Sequence, residues 1–323
     1  MKHGRTITMQ ALLALLICTL LAGPALAAPA YLIPSGQAVG IELYGEGLLV
    51  TEVEERSAAE QAGIRKGDVI VAVNGLPVNS AQQLAASLDG KNPAVLRVAR
   101  SGKEAEFLVQ AEPTADGCRL GVWLRDHIAG IGTLTYIDPM TGAFGALGHG
   151  VSDPAGSTVL PLDSGAIVRA SVAELRRGRA GAPGELHGIF DETGELGTIT
   201  KNTAHGIFGT FTAPQSGKAM AVAPGDEVQT GQAEILSTVD GESVQAFKVE
   251  IEKINRRSET GRDLRIRVTD EALLEKTGGI VQGMSGSPII QNGRLIGAVT
   301  HVLVNDPTRG YGILIENMLD DAA

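Results

Sequence analysis

Cysteine is nearly missing from this chain. Of 323 residues only two are cysteine, and Cys18 lies in an N-terminal apolar run. Cys118 is then alone, which excludes an intramolecular disulfide and any metal cluster built on thiolates. It reads as a small buried hydrophobe. Aromatic residues are scarce, at 3%. Positive charge is in deficit: 27 Lys and Arg face 37 Asp and Glu, for a formal net charge of -10. Nucleic-acid binders are usually basic, so that class is excluded. The run EKINRR (252–257) interleaves its charges and reads as solvated surface. Beyond the N-terminus no segment is long and apolar enough to span a bilayer. No low-complexity tract or internal repeat stands out, and no motif calls for a metal or an organic cofactor.

Glycine, by contrast, is abundant, with 42 residues. Together with the few aromatics it implies many tight turns and bulges, hence a mainly β architecture. The hydrophobic content of 43% suffices for a sizeable core, and the length allows one large or two medium domains. At the N-terminus Lys2, His3 and Arg5 precede an apolar run over 11–21, and small residues follow at Ala25 and Ala27. That is an export signal over 1–28. It is cleaved, or it stays as an anchor, since the apolar stretch could extend to about 20 residues. Either way the bulk of the protein is expected to work across a membrane from the cytoplasm.

Residues 38–113 read as a small α/β domain. VGIEL and GLLVTEVEE are alternating strands. SAAEQAG starts a helix with Ser57 and Glu60 at capping-box spacing and Gly63 at its end. KGDVIVAVNG is a turn, an apolar strand and an Asn-Gly turn, and NSAQQLAASLDG is a second helix capped at Asn79 or Ser80. AVLRVARSGKEAEFLVQ supplies two more strands. With SAAEQAGIRKGDVIVAVNG at its centre, this order resembles the PDZ domains attached to bacterial serine proteases. A peptide would add a strand to the sheet edge and lay its C-terminal carboxylate in a loop of backbone N–H groups. By position that loop is Val39-Gly40-Ile41-Glu42-Leu43.

After Pro113 the pattern becomes glycine-rich and β. GVWLRD, AGIGTLTYID, GAFGALGHGV, GTFTAP, VQAFKVEIEKI and LRIRVTD read as strands, which suggests a barrel or sandwich over 114–323. One short helix is expected at SVAELRRG, capped at Ser171. The stretch GGIVQGMSGSPII (278–290) sets a serine between glycines before an apolar hairpin, PIIQNGRLIGAV. A nucleophile elbow would want glycine where Ser287 stands and a helix afterwards. GMSGSP instead resembles the G-x-S-G-G-P loop of chymotrypsin-like proteases. There Ser285 would attack, and the N–H groups of Gly283 and Ser285 would receive the oxyanion. Ser287, followed by Pro288 at the strand start, is the weaker nucleophile.

A serine needs a base, normally histidine, oriented by a carboxylate. His149 sits between Gly148 and Gly150 at the end of an apolar strand. His205 has a similar setting, His127 resembles a surface turn residue, and His187 and His301 complete the set. Asp270 ends LRIRVTD, but aspartates at 138, 153, 163, 191, 226, 240 and 263 compete with it.

GGIVQGMSGSPIIQNGRLIGAVTHVLVNDPTRGYGILIE, with GALGHG and GTITKNTAHGIFG, resembles the sporulation stage IV protein B family of PDZ-bearing serine peptidases. The resemblance implies His149 as base, Ser285 as nucleophile and Asp270 as the acidic member. It also marks Thr300 and Asn202 as needed for activity; no physical role for Asn202 is evident from the sequence. It further implies self-cleavage near the N-terminus. A second implied target is the extracellular part of a membrane-bound regulator of an intramembrane metalloprotease, whose release activates a late sporulation sigma factor. The site of action would be the space between mother cell and forespore. Two other readings stand beside it: a catalytically silent PDZ peptide-binding protein, and a general envelope quality-control protease.

Overall fold

The structure, a computed structural model, describes residues 31–323 apart from 89–92, 101–102, 115–116, 153–158 and 259. The export segment and Asp153 lie outside the described residues. No helix among those described is long and apolar enough to cross a membrane.

Strand β1 (Tyr31–Pro34) is followed by a 16-residue strand, β2 (Ala38–Val53). Then come α1 (Ala58–Ala62), β3 (Val69–Val73), β4 (Leu76–Pro77) and α2 (Ala81–Leu88). Strands β5 (Ala94–Arg100), β6 (Lys103–Val109), β7 (Glu112–Thr114) and β8 (Gly117–Arg119) lead into a second 16-residue strand, β9 (Val122–Ile137). At the expected first helix, Ser57 Oγ accepts the Glu60 N–H and Gly63 closes the helix at φ 87. At α2, Ser80 Oγ accepts the Gln83 N–H at 3.2 Å.

Strands β2 and β9 pair along both their ends, from Ala38↔Thr133 to Val53↔Val122. Sixteen extended residues reach about 50 Å, enough to serve two layers. The far ends build the PDZ core, where Leu48, Val50, Ile70, Leu96, Val109 and Leu120 are buried and Val122 and Leu124 pack on. Each such buried aliphatic contributes ~1.5–3 kcal/mol relative to exposure. The near end of β2 belongs elsewhere: Val39, Ile41 and Leu43 are buried with Leu134, Phe144 and Ile167. Strand β2 thus serves both cores, and past the expected 113/114 boundary Leu120, Val122 and Leu124 still pack with the far one.

That following domain continues with β10 (Ala143–Ala146), β11 (Ser164–Arg176), β12 (Glu185–Thr203), β13 (Gly206–Phe211) and β14 (Met220–Ala221). Successive antiparallel pairings β2–β9–β10–β13–β12–β11 return to β2 and close a first barrel. The expected helix at 171 is absent. Its residues continue β11, with Ser171 opposite Ile189 and Val172 opposite Gly188. Cross-strand pairing and the burial of Val172 override local helix preference there.

The second barrel comprises β15 (Gly231–Thr238), β16 (Val244–Ile254), β17 (Leu264–Val268), β18 (Pro288–Gln291), β19 (Arg294–Val302) and β20 (Arg309–Leu314), closed in the order β15-β16-β17-β20-β19-β18. Helix α3 (Glu271–Thr277) lies between β17 and β18, and α4 (Ile315–Ala322) follows β20. The predicted hairpin is β18–β19, with Asn292 and Gly293 at φ 51 and 72 as a primed turn requires. A PDZ unit and two antiparallel barrels make a chymotrypsin-like architecture. The segment after β10 and the segment before β18 meet where the barrels face each other.

Candidate active site

The loop before β18 is held by its carbonyls. Gln282 C=O accepts the Leu186 N–H at 2.9 Å, and Ser285 C=O accepts the Thr133 N–H at 3.0 Å. Met284 C=O accepts both the Ser287 N–H, at 3.0 Å, and the Ser287 hydroxyl, at 2.7 Å. Ser287 Oγ also lies 3.0 Å from Ser237 Oγ in the buried interior. From β9, Thr133 Oγ1 donates to Gly283 C=O and Thr135 Oγ1 to Gly286 C=O, each at 2.8 Å. A trans peptide points its N–H opposite its C=O. Pinning the carbonyls of Gln282 and Met284 therefore turns out the N–H groups of Gly283 and Ser285. Neither has a protein acceptor among the described residues. Gly286 is obligatory: at φ 96 its Cβ would fall 2.0 Å from the Thr133 carbonyl oxygen.

The opposite wall is the turn after β10, where Leu147 and Gly148 take φ of 69 and 68. His149 follows, and a Cβ on Gly150 would lie 2.3 Å from Thr203 O. His149 Nδ1 lies 2.9 Å from Gly150 O. A carbonyl only accepts, so Nδ1 carries the proton and Nε2 presents its lone pair. Burial pushes the His149 pKa below the ordinary histidine value, against the opposing pull of the Gly150 carbonyl.

Asn202 has a clear place. Its Oδ1 accepts the Val151 N–H, and its Nδ2 donates to Val151 O and Leu160 O, all at 2.9 Å. It clamps the segment that carries His149. Ser285 Oγ donates to Thr300 O at 2.7 Å. Thr300 is buried, and its own Oγ1 has no hydrogen-bond partner among the described residues. The next residue, His301, sets its ring 4.9 Å from that of His149. Burial first, then the neighbouring His149 and Arg262, push its pKa down to about 4.

Asp270 stands elsewhere. It is the N-cap of α3: Oδ1 accepts the Leu273 N–H at 3.1 Å and Oδ2 the Lys248 N–H at 3.3 Å. It does not line the cavity that holds Ser285 and His149, so the structure does not bring the expected third member to the imidazole. The peptide loop expected at Val39, Gly40, Ile41, Glu42 and Leu43 needs the firmer correction. These residues pair with β9 on one side and with β11 on the other. With both edges hydrogen-bonded, no third strand can add there. Among the other histidines, His205 Nδ1 lies 3.1 Å from Asp321, His187 Nε2 lies 3.7 Å from Glu185, and His127 stacks on Tyr44.

Ser285, His149, Gly283, Thr300 and His301 all line one cavity of about 590 Å³, whose remaining wall is mainly apolar, including Ile131, Leu147, Ile280, Val281, Val302 and Val304, with the polar Ser152 and Gln282 among the rest. Sequence reasoning missed Thr133, Thr135, Ser237 and the pinning role of Ser287. The signal was present in GTLTY, where alternate threonines share one strand face. Among the described residues no group of three or more His, Cys, Asp or Glu stands where it could hold a metal ion. The arrangement combines a hydroxyl, a neutral imidazole with a free acceptor, and two outward N–H groups.

A family model described as SpoIVB peptidase S55 matches residues 116–319, and one described as a PDZ domain matches residues 49–100. A probable periplasmic serine endoprotease DegP-like of Chlamydia trachomatis serovar D is 43% identical over 76 residues, 22% of this chain and 15% of its own length. Its counterpart in Chlamydia pneumoniae is 40% identical over 76 residues, 22% of this chain and 16% of its own length. The chain thus spans less than a fifth of the curated relatives it matches. Among solved structures, the active form of the Rv3671c protease from M. tuberculosis is similar at 16% identity and a TM-score of 0.37, over 61% of this chain and 75% of that one.

Proposed function

The chain belongs to the SpoIVB peptidase S55 family, and from that premise we propose that it is an exported serine endopeptidase with Ser285 as nucleophile and His149 as base. The observation that carries the reading is the pair of outward N–H groups at Gly283 and Ser285, on the same cavity as the serine hydroxyl and the imidazole.

In the resting arrangement the serine proton is held by Thr300 O. Attack begins when the hydroxyl turns from that carbonyl to His149 Nε2. Ser285 Oγ then bonds to the substrate carbonyl carbon while Nε2 takes its proton. The carbonyl oxygen, now negative, accepts from Gly283 and Ser285 N–H. Nε2–H passes its proton to the leaving amine as the C–N bond breaks, and water releases the acyl group by the same steps in reverse. The Gly150 carbonyl orients the imidazole, and the Asn202 clamp fixes Gly150 through Val151. Asp270 acts from a distance, because α3 and Gly278 lead straight into the oxyanion loop. The apolar wall of the cavity favours an apolar substrate side chain next to the scissile bond.

The narrower reading is signalling. The enzyme trims its own N-terminus and cuts the extracellular part of a membrane-bound regulator, between mother cell and forespore membranes. The PDZ unit presents the peptide or restrains the enzyme. One of its open strand edges is the 122–125 end of β9, which pairs with β2 on one side and has no strand on the other among the described residues; β6, at the end of the sheet, is another. The similarity to DegP-like endoproteases supports a second reading, envelope quality control. Incubation with unfolded casein separates the two: narrow cleavage fits signalling, broad digestion fits quality control. The peptidase reading itself is tested by following purified wild type and Ser285→Ala by mass spectrometry over time. Trimming confined to wild type supports it; identical traces contradict self-trimming, and casein cut alike by both proteins, or by neither, contradicts the peptidase reading.

A further inference from the structure

A second cavity opens beside the catalytic one. It is lined by Arg176, Arg177 and Arg179, with Pro183, Gly278 and Gln282 among its other residues. Pro183 and Gln282 line the catalytic cavity too, and Gln282 immediately precedes the oxyanion donor Gly283. The two cavities therefore share a wall.

The turn that carries the arginines is firmly built. Gly178 N–H donates to Thr277 O at 2.8 Å, Arg179 and Ala182 exchange hydrogen bonds at 2.9 Å, and Gly181 N–H donates to Val304 O at 2.9 Å. Gly178 and Gly278 approach so closely that a Cβ on Gly278 would stand 2.3 Å from Gly178 O. On this fixed turn the charges are only partly compensated. Arg176 pairs with Glu185 at 3.1 Å. Arg177 Nη2 donates to the Leu274 carbonyl at 3.1 Å, a neutral acceptor. The Arg179 side chain has no acceptor among the described residues. Two unneutralised guanidinium groups thus stand together in a chain whose net charge is -10.

We propose that this cavity is a subsite for an acidic side chain of the substrate, an Asp or Glu lying on the Gln282 side of the scissile bond. The proposal rests on the peptidase reading and adds a specificity element to it. Guanidinium groups suit the task, since their forked donors match a carboxylate in two parallel hydrogen bonds. The chain's own first 41 residues contain no Asp or Glu, so the subsite selects a partner protein rather than the enzyme's own N-terminus.

The test is a cleavage profile. Full-length wild type, Ser285→Ala and the double variant Arg177→Gln/Arg179→Gln are each incubated with a peptide mixture from an unrelated proteome. Cut sites are then read by mass spectrometry. Cuts that depend on Ser285 should be enriched in Asp or Glu at one fixed position near the scissile bond. For a peptide pair differing only by Glu or Gln at that position, the wild-type kcat/KM ratio should be about tenfold or more, shrinking at high salt. The ratio should fall toward one in the double Gln variant. It should turn to favour Lys in Arg177→Glu/Arg179→Glu, a gain that misfolding cannot imitate. Ser285-dependent cuts without acidic enrichment, or enrichment that persists in the double Gln variant, overturn the subsite and leave the peptidase standing. No Ser285-dependent cut in any mixture overturns both.

Discussion

Buried side chains around the loop before β18 decide where the proposed oxyanion donors point. Ser287, fully buried, spends its proton on Met284 O and so fixes the Ser285 N–H. Ser287→Ala would leave Ser237 without its hydroxyl partner, a loss of about 1–3 kcal/mol in a denaturant melt. Because the donors act on the transition state, kcat should fall while KM moves little. Asp270 offers a sharper contrast. An asparagine caps a helix nearly as well as an aspartate, whereas alanine costs about 1 kcal/mol. Asp270→Asn should therefore keep most activity and stability, and Asp270→Ala should lower both. Loss of activity in the asparagine variant at full stability would show that the carboxylate orients His149 after all. At this scale the sequence pointed to Ser285 and His149, which line one cavity, because glycines on both sides mark a backbone under constraint. It said little about Asn202 or Thr133, whose partners lie 51 and 150 residues away.

Among the elements, hairpins and caps were legible because their chemistry is local: Asn292-Gly293, Ser57 with Gly63, Ser80 with Gln83. Long strands were not. Strand β2 runs from its barrel end to its PDZ end through a register shift between Tyr44 and Leu49, and with no turn residue strong enough to end it, residues 38–44 read as the start of the PDZ unit. The helix expected at Ser171 failed for a related reason, since its partner strand begins at Glu185 and only pairing reveals it. The topology has a practical consequence. Deleting 39–112 would remove a barrel strand and should unfold the peptidase. Tyr44 and His127 are opposite each other in the β2–β9 register, so excising 46–125 and joining the ends through an Asn-Gly turn should leave both barrels folded. Circular dichroism and gel filtration of the two deletions check this. Equal folding of both, or collapse of both, would refute the inserted topology.

For the molecule as a whole, the proposed base and nucleophile come from different barrels, so their shared cavity exists only when both are closed and apposed. Local motifs single out each residue, whereas their apposition depends on tertiary pairing that no local pattern carries. The cleft also sets the pH range. Catalysis needs His149 neutral, and burial holds its pKa below the ordinary 6.5. His301, its pKa pushed down to about 4, is uncharged beside it near neutrality. As pH falls, kcat/KM should drop when His149 binds a proton, with a midpoint below the ordinary histidine value. An acid limb centred at or above 6.5 would contradict the desolvated, carbonyl-oriented imidazole.

The central claim is that Ser285 is made nucleophilic by His149. Its most direct measurement is reaction of the full-length protein with a fluorophosphonate, with the adduct located by mass spectrometry of proteolytic fragments. One adduct is expected, on Ser285, forming in wild type and slowed at least about 100-fold in His149→Ala. An adduct on Ser287 or elsewhere, no adduct in wild type, or a rate indifferent to His149 would contradict it.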